Sequence, residues 1–106
     1  MNTLLIKEKA KEAENKPSVI EADKVSANHF KLISDHEILK TFRYFKEMWN
    51  TIESENEEHI SELMEGSDFP QTQAQSPFTF GVVVLLTLNA LDRELSKRGF
   101  KTRKIQ

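Results

Sequence analysis

The chain has 106 residues, 38% of them hydrophobic and 30% charged, with a net charge of -2 and no cysteine. That length bounds the answer to one domain with one core, able to bury roughly 65% of the surface of the unfolded chain. The composition excludes disorder of the whole chain, and the lack of cysteine excludes a disulfide framework and a thiolate metal site.

At the N-terminus, Asn2 or Thr3 can cap a short helix over 2–15 that places Ile6, Ala10 and Ala13 on one stripe. The apolar run Leu4-Leu5-Ile6 stops at Lys7, Glu8 and Lys9, too short for a signal-peptide core, so the expected location is the cytoplasm. Pro17 disfavours helical geometry at Lys16. Residues 16–33 show no sustained helical stripe, and Val19, Ile20, Val25, Phe30 and Leu32 predict an extended, irregular connector lying across something larger.

Ser34 stands three residues before Glu37 in a capping-box arrangement, with Asp35 and Glu37 near the positive end of the helix dipole. Ile38, Phe42, Phe45, Trp49, Ile52, Asn56, His59 and Leu63 follow at heptad spacing and predict one long helix over 35–65. Asn56 and His59 fall in that stripe, where a polar residue can set the register between helices. Leu39, Tyr44, Met48, Ile60 and Met64 lie beside it and broaden the apolar face. Gly66 is placed as a terminal cap, and the polar run from Ser67 to Ser76 predicts a long loop over 66–76, where function is to be sought.

Ser76-Pro77 reads as an N-cap followed by proline at the first helical position, and Gly99 marks the end of a second long helix over 77–98. Phe80, Val84, Leu88, Leu91 and Leu95 form one face, while Phe78, Val82, Leu85, Leu86 and Ala90 carry the apolar surface round to another. A membrane span is set aside because the apolar stretch is shorter than the roughly 20 residues a bilayer requires. A strand over Phe78–Val84 remains a competing reading of so short a run. The expected fold is all-α: an antiparallel two-helix hairpin with a short N-terminal helix and an extended connector. One chain of this architecture leaves the second helix partly unshielded, so self-association is expected through Phe78, Val82, Leu85 and Leu86; the alternative is that the connector from Pro17 to Ile33 covers that face within one chain.

Charge is unevenly spread: residues 34–65 carry nine acids against three bases, and residues 93–106 carry six bases against Glu94. The two segments can attract one another within or between chains. Lys97, Arg98, Lys101, Arg103 and Lys104, in a tail over 99–106 and the turn before it, could meet phosphates; the alternative, favoured by the acidic remainder of the domain, is a solvated tail complementing a helix end. His29, His36 and His59 lack the partners of a metal site, Glu55, His59 and Glu62 read as solvated residues, and the three glycines stand apart. No enzyme, metal or cofactor is expected.

The stretch Phe30-Lys31-Leu32-Ile33-Ser34-Asp35-His36-Glu37-Ile38 resembles the entry to the first long helix of phage anti-CBASS sponge proteins, and Leu88-Asn89-Ala90-Leu91-Asp92-Arg93 is similar to a segment of their second. The resemblance implies a helical-hairpin homo-oligomer in the host cytoplasm that sequesters cyclic di- or trinucleotide immune signals without cleaving them. Carried over, Phe30 would stack on a base, where the family usually has tyrosine, with Lys31 and Lys46 nearby as phosphate contacts. The family's helix lysine falls at Phe45, one residue before Lys46, and a second basic position falls near Gln75; both are departures. The alternative function is a helical protein-protein interaction module, an inhibitor or assembly factor.

Overall fold

Hydrogen-bonding side chains set the starts of the principal helices. Ser34 Oγ accepts from the Glu37 N–H (3.3 Å), Asn56 Oδ1 from His59 N–H (3.1 Å) and Ser76 Oγ from Thr79 N–H (3.2 Å), each satisfying a donor that the first turn leaves free. The computed structural model describes residues 3–66 and 76–100, and within them the chain is all-helical: α1 Thr3–Ala13, α2 Pro17–Phe30, α3 Asp35–Glu53, α4 Glu57–Glu65 and α5 Pro77–Lys97. The Cα radius of gyration is 13.6 Å, close to the value of about 13 Å for a compact domain of this length. No helix among the described residues is long and apolar enough to cross a membrane. Asn2, the loop 67–75 and the tail from Lys101 lie outside the described residues.

Two expected boundaries change. The connector 16–33 is largely helix: Lys16 is extended (φ -77°, ψ 136°), and Pro17 then occupies the first turn of α2. Proline before a helix ends one element and starts the next, because its fixed φ and missing N–H suit the first helical position. The single helix 35–65 is two. Glu55 adopts a left-handed backbone (φ 57°), the ladder stops at Glu53, and Asn56 restarts it as the cap of α4. Asn56 and His59 are therefore exposed rather than seam residues, and the restart changes the phase so that Ile60 is the side chain α4 buries.

Helices α1 and α5 lie where helices over 2–15 and 77–98 are expected. At the end of α5, Phe100 N–H bonds the Leu95 carbonyl and Gly99 N–H that of Ser96, the paired bonds of a helix terminated by a left-handed residue, here Gly99 at φ 90°.

The core forms where α3 and α1 meet α5, the two most extensive helix contacts. Ile38, Phe42, Phe45, Met48, Trp49 and Ile52 from α3, with Ile6 and Ala10 from α1, close on Phe80, Val84, Leu88, Leu91 and Leu95 of α5. Each fully buried side chain of this kind contributes about 1.5–3 kcal/mol. Helix α1 approaches so near that a Cβ added at Gly81 would stand 2.7 Å from Ile6 Cδ1.

The expectation that α5 is too apolar for one chain to shield is corrected here. Val82 (9% exposed) and Leu85 (4%) are buried within the chain, and Phe78 and Leu86 are half-buried. Helices α1, α2, α3 and α4 all pack on α5, so Val82 and Leu85 are covered within one chain. The α2 segment, expected as an irregular strap, is a helix that faces α5 at Val83, Leu86, Thr87 and Ala90.

Candidate functional site

Helix α2 buries no residue fully, although it lies against α5. Its Val19, Ala22, Ser26 and Phe30 recur at helical spacing and line one side of a groove of about 270 Å³, whose other side is Val83, Leu86, Thr87 and Ala90 of α5. The outward side chains Ile20 (42% exposed) and Val25 (68%) lie away from this seam. Thr87 spends its hydroxyl on the Val83 carbonyl (2.9 Å), so the α5 side presents methyl groups. The groove shares Asp23, Phe30 and Ala90 with a recess of about 30 Å³ bordered also by Arg93, Glu94 and Lys97.

Two arginines fasten α2 across this seam. Arg93 Nη2 donates to Asp23 Oδ2 (2.8 Å), while its Nη1 lies 3.5 Å from Glu14 Oε1, which also accepts from Asn89 Nδ2 (3.1 Å). Arg98 gathers more. It donates to the carbonyls of Phe30 (2.6 Å) and Ile33 (2.9 Å) and to Asp35 Oδ1 (2.8 Å) and Glu94 Oε2 (2.9 Å). These bonds join the end of α2, the start of α3 and the end of α5. Hydrogen bonds donated to the Glu94 and Asp35 carboxylates raise the guanidinium pKa above its ordinary value. Glu94 is the one charged residue buried among those described (6% exposed), and its Oε1 has no hydrogen-bond partner among them.

The residues expected to bind ligand are not gathered. Phe30 lies on the groove, its ring half-buried against the core and its carbonyl engaged by Arg98. Lys31 is exposed at the end of α2. Lys46 sits about 16 Å along α3 from Asp35, at 1.5 Å per residue, and its Nζ stands over the Phe42 ring at 5.9 Å, a cation–π contact. Phe45, which holds the family's lysine position, is a core side chain only 6% exposed. Gln75 lies outside the described residues.

Glu55 lies in the break before α4, so Glu55, His59 and Glu62 do not share one helix. The described residues contain no group of three or more His, Asp or Glu side chains able to hold a metal ion. A wider cleft of about 440 Å³ lies between α4 and the start of α5; the described part of its wall is Ser61, Met64, Glu65 and Pro77, with Glu65 its one charge. Sequence reasoning missed Asp23, Arg93 and Arg98 as a set. The available signal was the step from Val19 through Ala22, Asp23 and Ser26 to Phe30 behind Pro17, a helical stripe with one acid.

No protein-family model matches the chain, and no curated protein and no solved structure matches it.

Proposed function

We propose that the chain is a monomeric, non-catalytic interaction module that takes apolar side chains of another protein into the α2–α5 groove. The observation that carries this reading is the groove itself: a trough of about 270 Å³ walled by Val19, Ala22, Val83, Leu86 and Ala90, with Asp23 also on its wall and paired with Arg93 at 2.8 Å. Apolar anchors with a charged pair at the rim are how a helical partner is bound and oriented. The antiparallel pairing of α3 with α5 belongs to the same reading. It is supported at one end by Arg98 on Asp35 and at the other by Ile6 against Gly81, beside Lys7 at 3.8 Å from Glu53.

A photo-crosslinking residue placed at Val83 or Leu86 is expected to give a discrete protein adduct in the cells that make this chain, and the Leu86→Glu variant is expected to abolish it. Absence of any protein adduct from either position contradicts the reading.

A second reading is the homo-oligomeric sponge for cyclic di- or trinucleotides that the resemblance implies. Phe30 favours it, because its ring borders the recess that Arg93 and Lys97 also line, and an aromatic face beside cations suits a base and its phosphate. A ligand at 100 times its dissociation constant stabilises its receptor by about 2.7 kcal/mol. A panel of cyclic di- and trinucleotides is therefore expected to leave the melting temperature unchanged under the first reading and to raise it under the second.

A further inference from the structure

We infer that α2 is a displaceable cover, and that the α5 face beneath it receives an amphipathic partner helix built like α2: small apolar residues at helical spacing and one acid in register with Arg93. This rests on the interaction-module reading and specifies how the partner enters.

Three observations support it. The groove, at about 270 Å³, has room for a few side chains but not for a helix, which is about 10 Å across; a helix reaches Val83, Leu86 and Ala90 only where α2 now lies. Helix α2 is also the least secured of the helices with an assigned N-cap: it has no fully buried residue and no side-chain cap bond, whereas α3, α4 and α5 have both. Segments with few buried contacts open well below the free energy of global unfolding. Finally, α2 shows what the face accepts. It faces α5 across the groove with Val19, Ala22 and Ser26, and its Asp23 takes Arg93, whose side chain stays 48% exposed and reachable by another carboxylate.

The tether at each end of α2 differs. At its start, α1 is pinned by Ile6 and Ala10, both buried in the core. At its finish, Arg98 holds the Phe30 and Ile33 carbonyls. Between these anchors the Arg93–Asp23 pair is half-exposed and weakened by salt. Opening is consequently a local unwinding of α2 between these anchors while α3 and α5 keep their core.

Hydrogen exchange on the full chain tests the cover. Amides of α2 are expected to exchange on the order of a hundredfold faster than those buried in α3 and α5, with a further two- to fivefold rise, on the order expected of an exposed ion pair, in Arg93→Gln or high salt. Exchange of α2 in step with α5 overturns the inference. The acceptor face is tested with the Asp23→Lys variant, in which the new ammonium group repels Arg93, using a labelled synthetic peptide of residues 16–31. The variant, checked for unchanged helicity, is expected to bind this peptide, and a peptide carrying the same Asp23→Lys change is expected to bind far less. Failure to bind the first, or equal binding of both, overturns the proposed partner chemistry, whereas the crosslinking result above addresses the module reading independently.

Discussion

Arg98 joins more of the molecule than any other described side chain, donating to two backbone carbonyls and two carboxylates with its own side chain 15% exposed. Its bonds give the Phe30 carbonyl, which also accepts from Ile33 N–H (3.0 Å), a second donor and engage the Ile33 carbonyl just past α2, and with the two carboxylates they explain why a charge is tolerated there. Replacing Arg98 with Met is expected to lower the melting temperature and leave Glu94 buried without its cation; Arg98→Met with Glu94→Leu is expected to recover part of the loss, measured as a double-mutant cycle. Because Glu94 and then Asp35 raise the arginine pKa, the contribution is fully present wherever the guanidinium is charged in both states. It is lost only as strongly alkaline pH passes the folded-state value, so a stability profile across the physiological range should show no step from this residue.

At the scale of elements, the caps and the α1–α5 contact make separate demands. Asn56→Ala removes the acceptor for the His59 N–H and is expected to cost about 1 kcal/mol in chemical denaturation. Ile6 is fully buried, so Ile6→Ala is expected to cost about 2–5 kcal/mol. Gly81→Ala, whose new methyl would press on that same side chain, is expected to cost about 1–3 kcal/mol. The elements also show which local signals were legible. Ser34 and Ser76 with their downstream partners, and Gly99 after the apolar run, marked α3 and α5 because capping chemistry is local. The break at Glu55 was not legible: the heptad spacing continues through Asn56, and a left-handed glutamate leaves no trace in an apolar pattern. Helix α2 was obscured because its inward face mixes Val19 and Phe30 with Ala22, Asp23 and Ser26, so that apolarity alone drew no stripe. The site was not legible in the same way: Phe30 was expected as a base-stacking ring rather than as a wall of the groove, and Asp23 and Arg93 become partners only through folding.

For the whole molecule, the deciding matter is what shields α5. Its Phe80, Val84, Leu88, Leu91 and Leu95 are 0% exposed within a single chain, Val82 and Leu85 are 9% and 4% exposed, and Phe78 and Leu86 are half-buried, so little of the apolar surface of α5 is left for a second copy. The uneven charge is also partly resolved in cis, since Arg98 of the basic segment meets Asp35 of the acidic one. Light scattering coupled to size exclusion tests this most directly, at micromolar to millimolar concentration and in both low and high salt. A mass constant at the 12.3 kDa of one chain is expected; a stable multiple of that mass would contradict it.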